Sequence, residues 1–345
     1  MKYSFKSDYC ELMHPEILEA FRAVGNTQFI GYGLDEFSLR AANLIKQKIN
    51  EPDADVHFIS GGTHANMSVI SSALRPFEAV ISVDTGHISV HEAGAIEATG
   101  HKICAVPEIN GKLSAADIDD IVNTHDDEHM VSPRMVYISQ STEVGTIYSK
   151  AELTAISKSC KKNGLFLFID GARLGAAMNS HVNDLTYADI ANLSDAFYIG
   201  GTKNGAMYGE AIVIVNNAMK TDFRTILKQR GALLSKTAAI GIQFEALLKN
   251  NLLDKLAKHA NDMAIKMAQG ITKAGYELMN PAETNMIFPI LPESVAYKLR
   301  ENYEFYDWKK THNGIIVRLV TSWATPEHVV DKFITDLLTA RLSSS

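Results

Sequence analysis

Two stretches decide how this chain folds: LFLFIDGAR at residues 165–173 and AFYIGGTKNG at residues 196–205. Each is a short apolar run, rich in aromatic and branched side chains, that breaks into glycine and a charged residue. Runs of that length and composition suit strands buried on both faces of a sheet. Five more recur at 56–59, 79–83, 102–106, 135–139 and 211–215. Between most of them lie amphipathic segments such as 150–163, where Leu153, Ile156 and Cys160 stand at helical spacing. The alternation predicts an α/β fold with a seven-stranded, mostly parallel sheet. After about Thr237 the texture changes. A long helical pattern covers 238–274, interrupted near Asn250 and Asn251, followed by strand-like pieces at 286–290 and 315–320 and a closing helix over 326–341. The expected organisation is an N-terminal segment at 1–30 reaching the active site, a large domain at 31–240 and a smaller C-terminal α/β domain at 241–345. No internal repeat appears, and the one low-complexity stretch is the serine run at 343–345.

The 345 residues are 46% hydrophobic and 21% charged, ordinary values for a soluble globular protein. A formal net charge of −7, with Lys and Arg scattered rather than clustered, gives no electrostatic reason to bind nucleic acid. Cys10, Cys104 and Cys160 are too few and too irregular for a disulfide framework or a zinc site. No apolar region follows Lys2, Lys6 and Asp8 to make a signal peptide, and no apolar run approaches the ~20 residues that span a bilayer. The expectation is a cytoplasmic protein with no metal and no membrane partner.

In parallel α/β sheets ligands bind beyond the C-terminal strand ends, so the polar residues there are the ones to inspect. Asp170 follows its strand directly and is open to three readings: metal ligand, helix cap or cofactor partner. Lys203 lies in the turn Gly200-Gly201-Thr202-Lys203-Asn204-Gly205. A lysine there either binds phosphate or forms a Schiff base, and the spacing fails the phosphate-loop pattern. A Schiff-base lysine needs an amine held at one point and partly desolvated. A carboxylate such as Asp170 would then keep a pyridine ring protonated as an electron sink. The run 56–59 leads into Ser60-Gly61-Gly62-Thr63 and a helix, a start whose backbone amides suit a phosphate. His87 follows 79–83 and reads either as a surface turn residue or as a ring stacked on a cofactor.

Taken together, these residues resemble the threonine aldolase branch of the aromatic amino acid β-eliminating lyase family. The resemblance runs from Ser7-Asp8 to about Trp323 and includes Tyr32-Gly33-x-Asp35, Ser60-Gly61-Gly62-Thr63, His87 with Glu92 and Gly94, Asp170-Gly171-Ala172-Arg173 and Gly201-Thr202-Lys203-Asn204-Gly205. It implies a fold-type-I transferase fold with pyridoxal 5'-phosphate bound through Lys203. Asp170 would pair with the pyridine nitrogen, Gly62 and Thr63 would hold the phosphate, and His87 would stack on the ring. Arg173 and Arg318 would grip the substrate carboxylate, helped by Ser7, and a planar guanidinium suits that task better than an ammonium. The implied substrate is an L-β-hydroxy amino acid, cleaved to glycine and an aldehyde, and the implied assembly is a dimer of dimers.

The sequence departs from the family at one place. Many members carry a second histidine after the fourth strand, where this chain reads Gln140-Ser141-Thr142-Glu143-Val144-Gly145. Glu143 therefore replaces that histidine, as in the low-specificity aldolases, and joins His87 as a candidate base. Two alternatives stay open. Another reaction on the same cofactor (elimination, racemisation or transamination) would use the same lysine. A binding protein with a degenerate site would have little need of Lys203.

Overall fold

The computed structural model describes residues 2–342, so the serine run at 343–345 lies outside them. Each of the seven apolar runs forms a strand: β1 (Asp55–Ile59), β2 (Glu78–Val83), β3 (Ile103–Val106), β4 (Ser132–Ser139), β5 (Phe166–Asp170), β6 (Ala196–Gly200) and β7 (Glu210–Ile214). They make one sheet in the order β1-β7-β6-β5-β4-β2-β3. The pairs β6–β5, β5–β4, β4–β2 and β2–β3 are parallel, whereas β7 runs antiparallel to both β6 and β1. The start of β7 therefore lies beside the ends of β1 and β6, with Glu210 opposite Ile59 and Gly200.

Side chains alternate across a strand, and both faces here are apolar. Val136, Ile138, Leu167, Ile169, Phe197 and Ile199 pack on one side; Met135, Tyr137, Phe168 and Tyr198 pack on the other. Each such side chain contributes roughly 2 kcal/mol through burial. No helix among the described residues is long and apolar enough to cross a membrane.

The long helical pattern breaks where the sequence places the interruption. Helix Ala238–Leu248 ends at Asn250 (φ 58°) and Asn251 (φ 54°), and a second helix runs over Leu252–Lys273. Asparagine tolerates that left-handed backbone better than most residues. The second helix joins two cores. Leu252, Leu253 and Leu256 pack with the large sheet, while Met263, Met267 and Ile271 pack with Val330, Phe333 and Leu337 of the closing helix Glu327–Leu342.

A second sheet covers this C-terminal core, built from β8 (Met286–Ile287), β9 (Ile290–Leu291), β10 (Tyr306–Thr311) and β11 (Gly314–Val320), with β11 pairing antiparallel to the other three. The expected strand at 286–290 is split, because Pro289 has no N–H to donate. Strand β10 was not expected: it is largely exposed and carries no alternating apolar face. The chain start is tied down here too. Tyr3–Ser4 pairs with Tyr303–Glu304, and Phe5 is fully buried in the C-terminal core. This anchoring delivers Ser7 and Asp8 to the strand ends.

One half-buried group on β1 gives the fold a pH dependence. His57 packs against Phe223 at 4.9 Å between ring centroids, and its Nε2 is buried without a hydrogen-bond partner. Burial pushes its imidazole down to about 4, against the opposing pull of Asp55. The unfolded chain, with an ordinary histidine near 6.5, then binds more protons than the folded one between these values. Stability from this site is complete above pH 6.5 and is lost as pH falls toward 4. His57→Phe is expected to flatten that slope by up to about 3 kcal/mol, read by urea unfolding at stepped pH. An unchanged slope would refute the assignment.

Candidate active site

The C-terminal ends of the parallel strands enclose a cavity of about 330 Å³. Of the nine residues singled out in the sequence, all but Ser7 and Arg318 line it.

Asp170, at the end of β5, is buried and accepts four hydrogen bonds. Its Oδ1 takes the Tyr198 hydroxyl at 2.5 Å and the Ala172 N–H at 3.0 Å; its Oδ2 takes the Tyr137 hydroxyl at 2.6 Å and the Asn66 amide at 3.0 Å. Burial alone would raise this carboxyl. The charge of nearby His87 and the bonds from Tyr137, Tyr198 and Ala172 outweigh it, so the group stays below the ordinary carboxylate range. Gly171 lets the backbone close up at this point, since a Cβ there would fall on the Tyr198 carbonyl oxygen.

Lys203 sits across the cavity in a turn fixed from several sides. Asn204 donates its amide to the Gly200 carbonyl at 2.7 Å. The Gly201 N–H and the Thr202 hydroxyl both reach Glu210, each at 2.8 Å. Burial, followed by the repulsion of Arg173, holds the Lys203 amine below its ordinary range, opposed by Asp8, Asp170 and Glu210. The helix Gly62–Ala73 begins on the same wall, and its N-cap Gly61 provides no side-chain cap. Its first-turn amides at Gly62 and Thr63 are thus left to an anion.

His87 follows β2 and is held at two points. Its Nδ1 lies 2.7 Å from Glu92 Oε1, and its backbone N–H donates to Glu143 Oε1 at 3.0 Å. A carboxylate at Nδ1 assigns the proton to that nitrogen and leaves Nε2 as the acceptor. The Asn66 amide donates to Glu92 Oε1 at 2.7 Å as well as to Asp170, so one polar chain links His87 to Asp170. Glu143 also accepts the Ser139 hydroxyl at 2.6 Å. Burial raises its carboxyl above the usual range, in spite of that bond.

Arg173 makes a two-pronged pair with buried Asp8, Nε to Oδ2 at 2.7 Å and Nη2 to Oδ1 at 2.9 Å, and Asn285 adds a bond to Oδ2 at 2.9 Å. Arg318, on β11, donates to the Lys6 carbonyl at 3.2 Å and lies over the Tyr306 and Trp308 rings. Its Nε is buried without a partner. Ser7 is buried, with its hydroxyl 3.3 Å from Cys10 Sγ. The Tyr32-Gly33-x-Asp35 segment is not part of the cavity wall. Asp35 caps the helix Glu36–Ile49 through the Ser38 N–H at 2.8 Å, while Tyr32 is exposed and stacked under Lys228.

Sequence reasoning missed Asn66, Tyr137, Tyr198, Glu210 and the clamp of Asp8 on Arg173. For the two tyrosines a signal existed: each is a hydroxyl-bearing ring near the end of an otherwise apolar run, on a face that alternation can assign.

A family model described as beta-eliminating lyase matches residues 17–294. The chain belongs to this family. Across 341 aligned residues this lyase is 34% identical to the low specificity L-threonine aldolase of Pseudomonas sp. (strain NCIMB 10558), with 96% of each chain covered. The threonine aldolase structure from Leishmania major matches the lyase with a TM-score of 0.97 and 50% identity, over 98% of this chain and 99% of that one. An aspartate aminotransferase of Thermus thermophilus shares the fold alone, at a TM-score of 0.72 and 15% identity over 98% of this chain and 91% of that one.

Proposed function

We propose that this lyase cleaves L-threonine and L-allo-threonine, and other L-β-hydroxy amino acids, to glycine and an aldehyde with pyridoxal 5'-phosphate as its cofactor. The observation that carries the reading is the convergence on one cavity of a desolvated Lys203, an ionised buried Asp170 and a His87 locked by Glu92. Those residues fit the cofactor: an amine to hold it covalently, a carboxylate for its ring nitrogen, uncapped amides at Gly62 and Thr63 for its phosphate, and an imidazole for its ring face. When bound, pyridoxal phosphate supplies an electron sink for the pair released at Cα.

The protein side of the reaction follows from the geometry. Arg173, oriented by Asp8, and Arg318 with its unpartnered Nε would take the substrate carboxylate, helped by Ser7, and so fix the configuration at Cα. His87 Nε2, left as an acceptor by Glu92, would take the β-hydroxyl proton as the Cα–Cβ bond breaks. Glu143 is already engaged by Ser139 and by the His87 backbone, which favours a role in holding the histidine turn. With His87 as its one partner and Glu143 taken up by Ser139 and the His87 backbone, the β-hydroxyl would be held from one side alone, so the two Cβ epimers would be poorly told apart. An assembly of two dimers accords with the exposed run of Phe29, Ile30, Tyr32 and Leu34, and a cytoplasmic setting with the three free cysteines.

The test is an assay of the pyridoxal-phosphate-loaded protein for acetaldehyde and glycine from both epimers, with alanine and cysteine as controls. His87→Ala is expected to lower turnover by about 10²- to 10⁴-fold. Glu143→Gln should change the rate less and shift the epimer ratio. Cofactor binding without aldehyde release from any β-hydroxy amino acid would overturn the reading in favour of elimination or transamination.

A further inference from the structure

Glu210 plays no part in the reaction outlined above, yet it occupies a central place. It opens β7 opposite Gly200 and Ile59, the last strand residues before the lysine turn and the phosphate cradle respectively. The residue is 5% exposed, and its carboxylate lines the same cavity as Lys203. Its Oε2 accepts the Gly201 N–H and its Oε1 the Thr202 hydroxyl, both at 2.8 Å; the Thr202 oxygen in turn accepts the Gly209 N–H at 3.0 Å. The two residues directly before Lys203 are thus fastened to one carboxylate. A buried carboxylate is costly unless its charge is answered, and two neutral donors answer it only in part. Two cations line this cavity: Arg173 is paired with Asp8, and the one that acts on Glu210 is the Lys203 amine.

We propose that Glu210 is a positioning residue for Lys203, holding its turn through Gly201 and Thr202 and adding its charge to those of Asp8 and Asp170 in favouring the protonated form of its nitrogen. The proposal rests on the reading of Lys203 as the cofactor-bearing lysine. The charged groups around the pair are few. Lys203 faces Arg173, which opposes its protonation, and Asp8, Asp170 and Glu210, which favour it. Glu210 faces Lys203 and Asp170, with the Tyr198 hydroxyl group nearby. Burial pushes the Glu210 carboxyl up to about 7, against the bonds from Thr202 and Gly201 and the pull of Lys203. Its charge, and with it the field at the lysine nitrogen, therefore changes in the neutral range.

The experiment is an absorbance titration with pH of the pyridoxal-phosphate-loaded protein, comparing the natural chain with Glu210→Gln, Glu210→Asp and Thr202→Val. Borohydride reduction and peptide mapping accompany it, with thermal unfolding as the check on folding. Removing the negative charge in Glu210→Gln should lower the titration midpoint of the lysine-linked chromophore by about one pH unit, a tenfold change in proton affinity. Glu210→Asp keeps the charge and should retain most of the midpoint. Thr202→Val takes one donor from the carboxylate and disfavours its ionisation, so the midpoint should fall by less. That variant also decides the matter if Glu210→Gln does not fold. A midpoint unchanged in folded Glu210→Gln or Thr202→Val overturns the proposal, as does an equal shift in Asp and Gln variants. Cofactor reduced onto a residue other than Lys203 overturns the proposal together with the reading beneath it; an unmoved midpoint with cofactor on Lys203 overturns the proposal alone.

Discussion

Lys203→Ala should lose the yellow, borohydride-reducible link to pyridoxal phosphate and at least about 10⁴-fold in turnover, while the protein stays folded. The size of the effect follows from the position of the amine. It is drawn below its ordinary range by burial and by Arg173, so a larger share of it is unprotonated and nucleophilic than in a free lysine. Folding should survive because the turn does not depend on that side chain. Asn204 holds Gly200, and Glu210 holds Gly201 and Thr202. Truncating the side chain relieves the repulsion from Arg173 and leaves these bonds in place. Absorbance, reduction with peptide mapping, and thermal unfolding of the same preparation read the three parts of the prediction. A variant that keeps reducible cofactor on a different lysine would remove Lys203 from its role.

How much of this was legible in the sequence depends on which physical signal each feature carries. The seven sheet strands were readable because burial on both faces leaves continuous apolar runs, and the break at Asn250 and Asn251 because polar residues interrupt a helical period. Strand β10 carries neither signal: most of its side chains face solvent, and it is a strand because β11 pairs with it. The reversal of β7 was available and unused. Residues 201–209 are too few for the crossover that a parallel partner of β6 requires, a dozen or more residues. That reversal moves Glu210 from the far end of the sheet to the active-site end, so missing the one meant missing the other.

Individual site residues divide along the same line. Asp170 and Lys203 announce themselves as charged groups directly after apolar runs, and Gly62 and Thr63 as a glycine-rich helix start. Their partners come from distant segments. Asp8 meets Arg173 across 165 positions, Asn66 meets Asp170 across 104, and the Glu143 carboxylate meets the His87 backbone across 56. Nothing local in the sequence encodes such pairings, which exist only once the strand order is set. The replacement of a family histidine by Glu143 was visible as a letter change; its bond to the His87 backbone was not.

Asp170→Asn is expected to weaken pyridoxal phosphate binding by about tenfold or more and to lower turnover by roughly 10²- to 10³-fold, with a smaller effect on folding. In the natural chain both carboxylate oxygens are acceptors, and all four bonded groups are donors: two tyrosine hydroxyls, an amide and a backbone N–H. Asparagine can present an oxygen to one pair alone. Its NH₂ then faces either Tyr198 and the Ala172 N–H or Tyr137 and the Asn66 amide, and in both orientations a donor is aimed at donors. A buried donor left without an acceptor costs about 1–3 kcal/mol. The Asn66 amide bridges to Glu92, which orients His87, so the disturbance would also reach the histidine turn. The charge is lost as well, and with it the group that would keep a pyridine nitrogen protonated. The sign with pH follows from the same site. The carboxyl lies below its ordinary range, so its contribution to stability is full above the unfolded carboxylate range and fades as pH falls through the folded value. Asp170→Asn should remove that acid sensitivity. Equilibrium dialysis, steady-state turnover and unfolding at stepped pH measure the three effects. Turnover near that of the natural chain, with cofactor still bound, would show that the charge of Asp170 is not required.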